Sequence, residues 1–269
     1  MFYVLAGVSK AEFPLLEKYN MKHILLSQLD NSLLKGTLPL LTKEHHLIVD
    51  SAFTAWTLKV LNIDEYKKCV KIWKEFGHRT NIYFVSLDVI PSKPRRRPTK
   101  LEIEESAQKS WNNYLYLEKH YKVKFIPVFH HHENFKRLQK YIDHVDYLIS
   151  PANDVKLEER LKRLQYIYHK YLMKTKIKTH FISTPPILKN IPFYTYDSMS
   201  RKSSIYNIFA KYKNYNFYSY SAKKYREKYI DLGKLSNQEK IELNLREYAK
   251  MSKSMYSFHK ARKTLYRLQ

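Results

Sequence analysis

Eight short apolar runs, most of them followed by a segment of helical periodicity, constrain this chain more than any other feature. They are Phe2–Ala6, His23–Leu26, His46–Val49, Asn81–Leu87, Lys124–Phe129, Asp146–Ile149, Lys178–Ile182 and Phe193–Tyr196. Runs of this kind lack the polar–apolar alternation of a half-exposed strand, as expected of strands covered on both faces. Helical spacings lie between them: Tyr66, Cys69, Val70 and Trp73; Ala107, Trp111, Tyr114, Leu115 and Leu117; Leu161, Leu164, Ile167, Tyr168 and Leu172. Strand–helix alternation predicts an α/β fold with a parallel sheet, and eight units predict its closure into a (β/α)8 TIM barrel. The connection from Asn31 to Glu44 is the weakest helix of the set.

At 269 residues the chain has the length of one barrel-sized domain. From Ala222 onward the pattern changes to helical segments rich in Lys, Arg and Tyr, with no strand. The expected division is a barrel domain over 1–221 and a basic helical C-terminal extension over 222–269. No apolar run approaches the length of a membrane span, and Met1 to Leu5 lacks the charged start of a signal peptide. A soluble, cytoplasmic protein with no membrane partner is the expectation. Cys69 is the one cysteine, so an internal disulfide and a Cys-based zinc cluster are both excluded.

The formal charge is +24, from 49 Lys and Arg against 25 Asp and Glu. An excess of this size suits a polyanionic partner, nucleic acid first of all. The plainer alternative is an AT-biased genome that writes Lys and Tyr everywhere, and the 24 tyrosines fit it. Candidate phosphate contacts are Arg95, Arg96 and Arg97, in a proline-bounded loop from Pro91 to Pro98, and Lys223, Lys224 and Arg226 in the C-terminal segment.

Three of the apolar runs lead into an aspartate: Asp50, Asp88 and Asp197. In a parallel barrel every strand end faces one mouth, which would gather these acids with His130–Glu133, Asn153, Asp154 and Ser183. One ionised carboxylate in such a site attacks an electrophilic carbon while another moves a proton. The bland reading is that the aspartates cap helices or end strands. His130-His131-His132-Glu133 suggests metal ligation, but neighbours on an extended chain point alternately, so at most two of the histidines converge. One His lining the pocket, with the others solvated, is the simpler outcome.

Four motifs in order resemble the tRNA-guanine transglycosylase superfamily, in particular compact phage-type queuine tRNA-ribosyltransferase-like proteins. They are Val49-Asp50-Ser51-Ala52-Phe53, Leu87-Asp88-Val89-Ile90-Pro91, Ile126-Pro127-Val128-Phe129-His130 with Glu133 beyond, and Tyr196-Asp197-Ser198-Met199-Ser200. The resemblance implies a TIM barrel that exchanges guanine in DNA or tRNA for a 7-deazaguanine through a covalent glycosyl-aspartate, with no cofactor. It makes Asp197 the nucleophile, Asp50 the general acid/base and Asp88 the acceptor for the N–H edge of the base. Ser51, Phe53, His130, Glu133 and Ser198 would line the substrate pocket. The Cys3His zinc site of the full-length tRNA enzymes has no counterpart here, and no metal is expected. Two other classes stay open: a barrel that only binds nucleic acid or protein, and a metal-dependent hydrolase built on His130–His132.

Overall fold

The computed structural model describes residues 2–27, 31–50, 67–91, 96–150, 157–181, 194–198, 208–213, 216–221 and 235–267. Its central element is an eight-stranded sheet. The strands are β1 (Phe2–Ala6), β2 (His23–Ser27), β3 (His46–Asp50), β4 (Asn81–Val85), β5 (Phe125–Ile126), β6 (Tyr147–Ser150), β7 (Lys178–Phe181) and β8 (Thr195–Ser198). They pair in the order β5-β4-β3-β2-β1-β8-β7-β6, and each of these pairs is parallel. The two ends of that row meet. Ile149 N donates to Pro127 O at 3.0 Å, Phe129 N donates to Ile149 O at 2.8 Å, and Val128 bridges Ile149 in parallel. The sheet is a closed (β/α)8 barrel, with all eight strands where the apolar runs predict them.

Between the strands lie α1 (Phe13–Lys18), α2 (Asn31–Thr37), α3 (Lys67–Phe76), α4 (Lys100–His120), α5 (Phe135–His144) and α6 (Leu157–Ile167). The weakly patterned Asn31–Glu44 segment holds α2 and a 3-10 turn at Leu38–Leu40. α6 passes into a π-helical turn at Tyr168–Leu172. None of the described helices is long and apolar enough to cross a membrane.

The apolar runs are continuous because each strand is covered on both sides. In β1, Val4 and Ala6 belong to the barrel interior while Leu5 packs outward under the helices. In β2 and β3, Leu25 and Ile48 point inward while Ile24, Leu26, Leu47 and Val49 point outward. The interior continues through Val85, Ile126, Val128, Tyr147 and Ile149. Its N-terminal end is aromatic. His23 and His46 stack with centroids 4.6 Å apart, beside an edge-on series of Tyr83, Tyr147 and Tyr194.

Two further elements follow the barrel strands. β9 (Ile208–Lys213) and β10 (Asn216–Ser221) form an antiparallel hairpin in the register Asn216↔Lys213, which the apolar pattern does not signal. The long helix α7 (Asn237–Arg267) confirms helical character for most of the C-terminal segment. It is packed into the barrel: Ile241, Leu245, Tyr248 and Met251 are buried in the same outer core as Leu5, Phe181 and Tyr196. Tyr196 OH lies 3.6 Å from the Met251 sulfur.

Candidate active site

The strand alternation that fills the barrel also aims the acids. Asp50 follows inward-facing Ile48 by two residues, which puts it on the inner face at the C-terminal rim, half-buried. Tyr196 packs outward, so its neighbours Thr195 and Asp197 face inward, and Asp197 is buried at 5% exposure. Register places Asp197 beside Val4 and Asp50 beside Ser27. Strands β8, β1, β2 and β3 are consecutive in the wall, so two strands separate the two aspartates.

Asp88 sits just past β4, in a short segment tied to α4 on either side. Leu87 O accepts from Asn113 Nδ2 at 3.1 Å, and Val89 N donates to Ser110 Oγ at 2.8 Å. α4 is itself well started: Thr99 accepts from Glu102 N at 3.2 Å, while Glu102 Oε2 accepts from Thr99 N at 2.8 Å. Asp88 Oδ2 then accepts from His130 Nε2 at 2.8 Å. The other ring nitrogen, Nδ1, is 3.0 Å from Glu133 Oε1, which also accepts from the His130 backbone N at 2.8 Å.

A histidine with a carboxylate at each nitrogen holds both protons. Burial works against that charge, but hydrogen bonds to Asp88 and Glu133 outweigh it and raise the His130 pKa to about 10. Asp88–His130–Glu133 is therefore an imidazolium between two carboxylates. Glu133 Oε2 has no hydrogen-bond partner among the described residues, and the Glu133 carbonyl accepts from Arg163 at 2.7 Å. Arg163 in turn lies over the Phe135 ring, 4.5 Å from its centroid.

Asp197 has a different neighbour. His180 on β7 is fully buried, and its Nε2 stands 3.7 Å from Asp197 Oδ1. That distance exceeds a hydrogen bond, so burial decides the protonation and pushes His180 down to about 3. The two aspartates thus meet opposite histidines: Asp88 a cation, Asp197 a neutral ring.

No family model matches the chain, and no curated protein does. A crystal structure of a 4-hydroxy-2-oxoglutarate aldolase/2-deydro-3-deoxyphosphogluconate aldolase is similar over 93% of this chain and 93% of its own. The identity is 9% and the TM-score 0.49.

The structure brings Asp88, His130 and Glu133 into one contact network and sets Asp50 and Asp197 on the same rim. Ser198 ends β8 opposite Leu5. Ser51, Phe53, Asn153, Asp154, Ser183, Arg95, Lys223, Lys224 and Arg226 lie outside the described residues. Of the remaining candidate cations, Arg96 is exposed and paired with Glu102, and Arg97 is exposed. The histidine run does not act as one cluster. His130 has both nitrogens occupied by carboxylates, so it has no lone pair for a metal. His131 Nε2 is directed to Glu159 at 4.0 Å. Among the described residues no three His, Cys, Asp or Glu side chains converge as metal ligands.

Sequence reasoning missed His180. Its only signal is period two in Lys178-Thr179-His180-Phe181, which puts Lys178 and His180 on one face and Thr179 and Phe181 on the other.

Proposed function

We propose that the protein exchanges guanine in nucleic acid for a 7-deazaguanine, with Asp197 as the attacking carboxylate. One observation carries this reading: the histidine bonded to Asp88 is a cation, and the histidine beside Asp197 is neutral. A carboxylate hydrogen-bonded to an imidazolium has its charge engaged, which suits recognition of a ligand N–H edge by its remaining lone pairs. The ring 3.7 Å from Asp197 is neutral, so His180 adds no positive charge to offset the negative charge that attack on carbon uses. The four ordered motifs assign the same two roles, and that agreement supports the reading.

In the reaction, an Asp197 oxygen attacks C1′ of the target nucleotide and the C1′–N9 bond breaks. Asp50, half-buried on the rim, gives its proton to the departing guanine. The incoming 7-deazaguanine then loses its N9 proton to Asp50 and attacks C1′, and the aspartyl ester bond breaks to restore Asp197. Both carboxyl groups return to their starting state. The target base must leave its stack to enter a barrel mouth, and the +24 charge favours the polyanion that carries it.

The test is incubation with labelled guanine, separately with tRNA and with duplex DNA, using the wild type and Asp197→Asn. Label entering one of them with the wild type and not with the variant upholds the proposal. No label in either, together with nucleic-acid binding unaffected by Asp197→Asn, rejects it in favour of a barrel that only binds.

A further inference from the structure

Three buried polar side chains stand in a row inside the barrel, and the exchange chemistry above uses none of them. Tyr147 OH lies 2.6 Å from Thr195 Oγ1, and Thr195 Oγ1 lies 3.0 Å from His180 Nδ1. All three are closed off from water. The row has a direction. Burial pushes the ionisation of Tyr147 far up, so the phenol keeps its proton, and Thr195 is its hydrogen-bond partner. A buried hydroxyl proton left unpaired is strongly unfavourable, so Tyr147 donates and Thr195 accepts.

Thr195 then has one proton to give, and His180 Nδ1 is the acceptor within reach. A neutral imidazole that accepts at Nδ1 carries its proton at Nε2. Among the described residues that Nε2 has no hydrogen-bond partner, and it faces Asp197 Oδ1. Catalytic contacts are often long before substrate arrives and tighten in the complex.

The structure assigns His180 as a positioning residue for Asp197: Tyr147 and Thr195 hold it as the Nε2–H tautomer, whose N–H takes Asp197 Oδ1 when substrate is bound. With Oδ1 held, the carboxylate meets a bound sugar in a single geometry. The kinetic consequence rests on Asp197 being the nucleophile of the proposed exchange. The tautomer does not.

The experiment therefore has a spectroscopic arm and a kinetic arm. In the full chain labelled with 15N-histidine, the His180 ring signals are those lost in His180→Gln. Near neutral pH they should show a protonated Nε2 and a bare Nδ1. An Nδ1–H tautomer or an imidazolium overturns the assignment.

In the kinetic arm, His180→Met should lower saturated exchange about 10- to 100-fold with KM for guanine changed less than about twofold. His180→Gln, whose amide N–H reaches the place of Nε2, should recover most of that loss. Equal losses in the two folded variants, or a loss confined to KM, overturn the positioning role. Should the wild type exchange no guanine, the proposed function fails and the spectrum alone decides. The His180 Nε2 signal must then move in Asp197→Asn, and an unmoved signal overturns the pairing.

Discussion

Asp88 and His130, just past the ends of the neighbouring strands β4 and β5, are joined by a 2.8 Å contact between Oδ2 and Nε2. With Glu133 on the other ring nitrogen, this contact fixes a doubly protonated histidine in a place almost without water. A buried cation between two anions has consequences for stability as well as for the ligand.

Removal of the cation should be costly. His130→Ala leaves Asp88 and Glu133 facing each other with no positive charge between them. Breaking a buried ion pair by deleting one partner typically destabilises by about 3–5 kcal/mol. Urea unfolding near neutral pH should show a loss in that range, and a loss below about 1 kcal/mol would contradict the arrangement.

The same group predicts an alkaline limit. His130 is raised from an ordinary value near 6.5 to about 10 in the folded chain. Its contribution is complete below 6.5 and is lost as pH rises from there through 10, because only the folded state still holds the proton in that window. The slope from this one group is at most about 1.4 kcal/mol per pH unit. Unfolding curves between pH 7 and 10 should fall more steeply for the wild type than for His130→Ala.

At acid pH the sign reverses for the interior of the barrel. Burial, aided by the neighbouring His46, pushes His23 down to about 3. Between 6.5 and 3 the unfolded chain takes up a proton that the folded chain refuses, so stability falls as pH falls through that range. Burial of His180 acts in the same direction. In His23→Phe the decline from pH 6.5 to 4 should be shallower than in the wild type, whatever the absolute stability. An unchanged slope would mean that His23 is protonated inside the folded barrel.

Most of the strands were legible in the sequence because burial on both faces leaves an unbroken apolar run such as Leu47-Ile48-Val49, too short for a helix and set between helical spacings. The rim acids were legible because each follows such a run directly. His180 was not, since Lys178-Thr179-His180-Phe181 has a polar residue on each face, and only barrel closure decides which face is inside. Alternation along the His130–His132 run argues against a three-histidine site, but it does not reveal that Glu133, at i+3, occupies one ring nitrogen of His130 and a residue 42 positions away the other. The β9–β10 hairpin was hidden because its apolar start, Ile208-Phe209-Ala210, gives way at once to mixed Lys, Tyr, Asn and Ser.

α7 carries a prediction of its own. Leu245 is fully buried against the barrel, so Leu245→Ala should cost about 2–5 kcal/mol through lost contacts and an unfilled cavity. A chain ending before Asn237 would uncover Tyr196, whose hydroxyl meets Met251, as well. Circular dichroism of that truncated chain should show loss of cooperative unfolding. A stable, cooperative barrel without α7 would show that the helix is dispensable.

The carboxylates should separate by role when each is made an amide. Asp197→Asn keeps the shape beside His180 but has no charge to form a glycosyl ester, so covalent trapping and exchange should both vanish. Asp50→Asn removes only the proton-transfer group. Exchange should slow by about 10²–10⁴-fold, the usual worth of general acid–base catalysis, while slow trapping persists. Asp88→Asn should act differently from both, because an amide places a donor where the carboxylate offered only acceptors. The incoming base should be bound more weakly or replaced by another, and the His130 imidazolium should lose one of its two anions. The pH at which His130 titrates is then a second readout, falling in Asp88→Asn and staying near 10 in the other two variants. Each variant must first unfold cooperatively, since an altered buried polar group can mimic a catalytic loss. Full base exchange by folded Asp197→Asn would remove this residue from the chemistry and move the search for a nucleophile to Asp50.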